Sequence, residues 1–205
     1  MAEQVTFYFD PRCPWCFQTS RWMRRLEELG VVDVRWAVFS LTVVNQGDEG
    51  RAAPDRSAAP ALRTTVALRD SHGDRAAGAF YEALGAAHHI DHRDVDDPAV
   101  IIAALQAAGA DASVYQRAMQ DPATWDAVLA EHDAVVTQKQ AFGVPTIVLD
   151  GGEGLAIFGP VLCEVPNDED AVALWEHTSW LVRHDGFAEL KRERPRRPVF
   201  TEQSK

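Results

Sequence analysis

Val5-Thr6-Phe7-Tyr8-Phe9-Asp10-Pro11-Arg12-Cys13-Pro14-Trp15-Cys16-Phe17-Gln18-Thr19-Ser20-Arg21 is the stretch that decides how this chain is read. Residues 5–9 form an apolar run of strand length, closed by Asp10-Pro11. A helix is expected from about Pro14 to Leu29, stopping at Gly30, a residue suited to the turn after a helix. Two thiols separated by two residues therefore fall at a strand-to-helix junction, the setting of a dithiol–disulfide couple. The first of them meets unpaired backbone amides and the positive end of the helix dipole, both of which favour a thiolate.

Two blander readings compete with this one. A Cys-x-x-Cys pair can be half of a zinc site, but closed coordination needs a second ligand pair. The remaining cysteine, Cys163, stands alone, and His88-His89-Ile90-Asp91-His92 belongs to another segment. No metal is expected. A structural disulfide would close a tiny loop in a chain long enough to need no such staple.

The chain has 205 residues, 46% of them hydrophobic, enough for a substantial core. Its 20 Lys and Arg against 31 Asp and Glu leave a formal charge of −11. An acidic body lacks the clustered cations that nucleic acid or an anionic membrane surface requires. No apolar run is long enough to span a bilayer. Met1-Ala2-Glu3-Gln4 leads directly into the first strand with neither a positive nor an apolar leader segment, so a cytoplasmic protein is expected. In a reducing cytosol an accessible Cys-x-x-Cys is held as a dithiol and works as a reductant.

Working outward, Val31 to Phe39 reads as a second strand with Val32, Val34, Trp36 and Val38 on one face. Strand, helix and strand make a β-α-β unit with parallel strands. Residues 45–61, rich in Gly, Ala, Pro and charge, read as a loop. From Leu62 to Lys139 the chain is alanine-rich and helical in period, with helices near 61–72, 74–87, 97–107, 111–118 and 123–139. Asp97-Pro98 and Asp121-Pro122 have the form of helix starts. Gly143-Val144-Pro145-Thr146-Ile147-Val148-Leu149-Asp150, a Gly151-Gly152 turn and Leu155 to Phe158 read as a hairpin. Gly159-Pro160 ends it, and a last helix is expected from Glu169 to Arg183. The fold class is α/β. A discontinuous domain of residues 1–45 and 140–185 carries an inserted all-helical subdomain, 60–139, and ends in a basic, solvated tail, 186–205.

Cys13-Pro14-Trp15-Cys16, the helical insert and Pro145 before a strand resemble the DsbA-like branch of the thioredoxin superfamily. Phe9-Asp10-Pro11, Thr19-Ser20-Arg21-Trp22, Ser40-Leu41 with Asn45, Pro145-Thr146, Phe158-Gly159-Pro160-Val161-Leu162, Phe187 and Glu189-Leu190-Lys191-Arg192 are similar to segments of its actinobacterial mycothiol-dependent nitroreductase group. Ala87, ahead of His88-His89, stands where that group has an arginine. The resemblance implies a cis bond before Pro145, with the Val144 backbone set against the dithiol. It implies mycothiol or another low-molecular-weight thiol as reductant, no tightly bound cofactor, and a possible homodimer.

On this reading Cys13 is the exposed, low-pKa nucleophile and Cys16 the resolving thiol. Pro14, Trp15, Asn45, His89, Val144, Pro145 and Thr146 are the candidate substrate- and thiol-binding residues. Trp15 supplies an apolar wall, and Arg12 is placed to favour the Cys13 thiolate. Asn45 reads as a ligand contact or a turn residue, His89 as a cleft residue or a surface histidine. Cys163 reads as a small buried hydrophobe, and Trp22, Trp36, Trp125, Trp175 and Trp180 as core. The expected activity is that of a thiol–disulfide oxidoreductase reducing disulfides or nitro-aromatic and other electrophilic small molecules. A DsbA-type protein disulfide oxidase or isomerase is one alternative. An enzyme like glutathione transferase kappa or hydroxychromene-carboxylate isomerase is another; Cys16 argues against it, since those enzymes lack a second cysteine. A non-catalytic binding module would leave the dithiol without purpose.

Overall fold

A computed structural model describes residues 1–52 and 59–200. Strand β1 (Glu3–Phe9) is followed by helix α1 (Pro14–Glu28) and strand β2 (Val32–Val38). β1 and β2 pair in parallel, from Glu3 opposite Val32 to Phe9 opposite Val38. Leu29 caps α1, and Gly30 takes φ of +71°, a left-handed conformation that costs glycine little. Val32, Val34 and Trp36 are buried while Asp33 and Arg35 are exposed, the alternation read from the sequence.

The segment expected to be a loop is not one where it is described. The end of helix α2 (Leu41–Gln46) and all of helix α3 (Asp48–Ala52) occupy its first part; residues 53–58 lie outside the described residues. Ser40 starts α2 by accepting the Val43 amide at 3.2 Å, a cap that the charged, Gly-rich composition after it conceals. Helices α4 (Ala59–His72), α5 (Asp74–His89), α6 (Pro98–Ala107), α7 (Ser113–Gln120) and α8 (Ala123–Lys139) follow. Asp97 and Asp121 each accept the amide two residues on, at 2.8 and 3.0 Å.

The returning hairpin is β3 (Thr146–Val148) and β4 (Ala156–Phe158), joined through a short turn at Asp150–Gly152. β3 pairs antiparallel with β1 and with β4, giving the sheet order β2-β1-β3-β4. Helix α9 (Asp168–Arg183) lies against α1, where the Trp22 indole donates to the Ala171 carbonyl at 3.1 Å. None of the helices described is long and apolar enough to cross a membrane.

Two hydrophobic cores hold these layers together. One gathers the sheet residues with α1, α9 and one side of the helical block; Phe9 stacks on Tyr81 of α5 at 3.7 Å, and Phe7 meets Trp36 edge-on. The other lies among α4–α7 around Leu68, Phe80, Leu84, Ile101 and Leu105. Helix α5 serves both: Ala77 and Tyr81 face the sheet, Phe80 and Leu84 the second core. Each pair is spaced by four residues, so two apolar stripes run along one helix. Trp180, expected in the core, is 62% exposed on the outer side of α9, because helical spacing says which residues share a face and not whether another element covers it.

Candidate active site

The dithiol sits at the first turn of α1. Cys13 is the N-cap: its sulfur accepts the Cys16 amide at 3.3 Å, and Pro14 starts the helix. Both thiols are free. The Cys13 thiol is pulled below its ordinary value, chiefly by the hydrogen bond from the Cys16 thiol and then by the Cys16 and Trp15 amides, with burial opposing. Cys16 is pushed well above its ordinary value by complete burial and by the neighbouring Cys13 sulfur. Two identical side chains thus differ in ionisation because one caps a helix and the other lies beneath it.

Cys13 is buried, 7% exposed, and not the open thiol expected. The loop that returns before β3 lies against it. The Val144–Pro145 bond is cis, and the Cys13 thiol faces the Val144 carbonyl at 3.7 Å, 131 positions away in sequence. Thr146 does not present its hydroxyl to the site; it donates to the Gly143 carbonyl at 2.7 Å, and the Pro145 carbonyl accepts the Gly159 amide at 2.8 Å. A second cis bond precedes Pro160, whose carbonyl accepts the Thr19 hydroxyl of α1 at 2.9 Å.

Arg12 is not turned to the thiolate. It pairs with Asp96 at 2.5 Å, because the insert brings that carboxylate to the rim of the loop. The charge that bears on the thiols belongs to Asp10, fully buried at the end of β1. Its carboxylate accepts the Arg12 and Leu41 amides at 2.9 and 2.8 Å, yet burial still lifts it from 3.8 to about 6. An Asp-Pro pair closing a strand suggests a turn from sequence alone; placement under a dithiol is visible only in three dimensions.

His89, the last residue of α5, stacks on Phe17 at 5.3 Å, and its Nε2 lies 2.8 Å from the Pro11 carbonyl. A carbonyl only accepts, so that nitrogen carries the proton. Burial first and His88 second depress the imidazole from 6.5 to about 4, so His89 braces the cysteine loop as a neutral donor. Gly85, one turn earlier, allows this approach: a Cβ there would stand 2.3 Å from the Phe17 ring. Asn45 is exposed on α2, one turn beyond the Ser40-Leu41 segment tied to Asp10, and no hydrogen bond joins it to the dithiol among the described residues. Trp15 is half-buried against the sheet core. Among the described residues, no three His, Cys, Asp or Glu side chains are grouped to hold a metal.

The C-terminal segment is not a solvated tail throughout. Val199 donates its amide to the Cys163 carbonyl at 2.7 Å, and the Cys163 thiol lies 3.2 Å from the Arg196 carbonyl. Phe200 packs on Phe17 and His89, and the Arg194 guanidinium lies 4.8 Å over the Trp15 ring. Cys163 is accordingly half-buried under this segment and not a core residue. A run of cations broken by prolines carries no periodicity, so its docking leaves no sequence signal.

Comparison with known proteins places these features in a family. The sequence model of the Rv2466c-like family, mycothiol-dependent nitroreductase Rv2466c, matches residues 12–192. An uncharacterised protein of Mycobacterium tuberculosis, Rv2286c, is 33% identical over 200 residues, spanning 97% of this chain and 84% of its own. Among solved structures, the cytosolic disulfide reductase DsbM from Pseudomonas aeruginosa superposes with a TM-score of 0.65 at 16% identity, covering 87% of this chain and 99% of its own. A probable DsbA oxidoreductase, SCO1869 from Streptomyces coelicolor, gives 0.60 at 20% identity, with 94% of each chain covered. The chain belongs to the Rv2466c-like family of mycothiol-dependent nitroreductases, and it is a thiol–disulfide oxidoreductase on a DsbA-like thioredoxin fold.

Proposed function

We propose that this chain is a cytoplasmic reductase of small-molecule disulfides and nitro-aromatic or other electrophilic compounds, with mycothiol as the thiol that recycles it. The observation that carries the reading is the asymmetric dithiol: a helix-capping Cys13 with a lowered pKa over a buried Cys16 with a raised one. The Cys13 thiolate attacks one sulfur of a disulfide, forms a mixed disulfide and releases one thiolate. Cys16 then loses its proton and attacks the Cys13 sulfur, closing the Cys13–Cys16 disulfide and releasing the second thiolate. The two cysteines give two electrons; two molecules of the recycling thiol restore them and leave as their own disulfide.

The family match and a DsbM structure solved with GSH support a low-molecular-weight thiol in that last step. In the proposed organisation the thioredoxin-like part, 1–45 and 140–185, carries the dithiol and the Val144-Pro145-Thr146 loop. The helical part, 60–139, contributes His89. A homodimer belongs to the same proposal. Its test is a pair of variants. Cys13→Ser loses reductase activity with mycothiol as electron source, and Cys16→Ser accumulates a mixed disulfide at Cys13, read as a mass increment. Full activity in Cys13→Ser overturns the proposal.

A further inference from the structure

The chain is acidic overall, yet Lys191 to Arg197 carries five cations against one carboxylate, Glu193. The structure folds the later part of this run back onto the site. Three ties fix it: the Val199 amide on the Cys163 carbonyl, the Cys163 thiol at the Arg196 carbonyl, and the Arg196–Glu164 ion pair at 2.6 Å. Phe200 then anchors the segment on Phe17 and His89, 5.4 and 5.8 Å between ring centres. Arg194 is thereby held with its guanidinium over Trp15, one of the two residues between the thiols. No carboxylate pairs with Arg194 among the described residues, and its side chain is exposed. The family match ends at residue 192, so this contact lies beyond it.

A guanidinium held over an indole ring can still offer N–H groups to an oxyanion, in bidentate fashion where its outer edge is open. Stacking also removes much of the rotamer freedom that a surface arginine gives up on pairing. In a chain of net charge −11, the segment thus sets an exposed cation beside Trp15. We propose that Arg194 selects the oxidised compound reduced at Cys13 for a carboxylate, so that small carboxylate-bearing disulfides are preferred over neutral ones. The selection rests on the dithiol reading above and deepens it.

Alkylation of the reduced, full-length protein tests the selection apart from turnover. The Cys13 thiolate displaces iodide from iodoacetate, an anion, or from iodoacetamide, its neutral analogue, forming a thioether in each case; mass spectrometry fixes the site. The ratio of the two rates cancels any change in the thiolate fraction. Arg194→Ala lowers the iodoacetate-to-iodoacetamide ratio about threefold and Arg194→Glu about tenfold, the size of one exposed ion pair lost or reversed. Arg194→Lys, which keeps the charge but loses the planar fork and its stacking on Trp15, recovers only part of the ratio, and 0.5 M salt brings the wild type down toward Arg194→Ala. Arg117→Ala, which removes one cation from α7, leaves the ratio as it was. The same order is expected in kcat/KM for 3,3′-dithiodipropionate against bis(2-hydroxyethyl) disulfide. Ratios unchanged in Arg194→Ala and Arg194→Glu, or both reagents slowed equally, overturn the selection while leaving the dithiol reading intact. A Cys13 unreactive to both reagents overturns the dithiol reading, and the selection with it.

Discussion

Asp10→Asn separates the electrostatics of this site from its packing. Asp10 is fully buried, and its carboxyl titrates near 6 in the folded chain against 3.8 ordinarily, a rise worth about 3 kcal/mol at about 1.4 kcal/mol per unit. An acid whose folded pKa is raised holds its proton more tightly in the native state. Its contribution to stability is complete below pH 4 and is lost as pH climbs through 6. Between pH 4.5 and 7 the wild type should lose about 2 kcal/mol from this group. Asparagine has no such titration and keeps an oxygen for the Arg12 or Leu41 amide. Urea unfolding at half-unit steps from pH 4.5 to 7 gives the measurement. Asp10→Asn should gain about 2 kcal/mol relative to wild type across that window, whatever its offset at one pH. The alkylation profile of Cys13 should move to lower pH, because a buried negative charge that opposes its thiolate is gone. A stability difference constant with pH would refute a carboxyl that buries its charge here.

His89 titrates with the opposite sign: its folded value is depressed, so its contribution is full above pH 6.5 and is lost toward 4. His89→Gln, which keeps an N–H for Pro11, should therefore gain about 1–2 kcal/mol relative to wild type on acidification from pH 7 to 4.5, after allowance for partial exposure. A wild type measured alone would hide both effects, since the two shifts nearly cancel. Gly85→Ala places a methyl group into the Phe17 ring and should cost about 1–3 kcal/mol of unfolding free energy, with the pH profile of Cys13 alkylation altered through the Phe17–His89 stack. Unfolding at wild-type denaturant concentration would show that Phe17 moves aside freely.

The parts of the molecule legible from sequence are those written in neighbouring residues. Phe7 and Phe9 alternate with Thr6 and Tyr8 and form a strand. Asp97-Pro98 caps and starts a helix. Cys13-Pro14-Trp15-Cys16 caps another. Strand period, helix period and capping each span a few positions, and each is realised in the fold. The same locality explains the errors. The end of α2 and all of α3 fall inside 45–61, a segment whose composition reads as loop, and Trp180 shares the spacing of core residues on a face that nothing described covers.

By itself the sequence determined a helix-capping dithiol in an α/β chain with a large helical insert, because those features follow from local backbone preferences and from the order of elements. The tertiary structure alone decided the surroundings of that dithiol. The Val144 carbonyl at Cys13, the burial of Asp10, the proton on His89 at Pro11 and the guanidinium of Arg194 on Trp15 join segments remote in the chain. Such contacts depend on how α5, with its two apolar stripes, seats the helical block on the sheet, and on how the C-terminal segment returns across Cys163. Burial and proximity set pKa values and charge selection, and both are properties of packing that no short run of residues encodes.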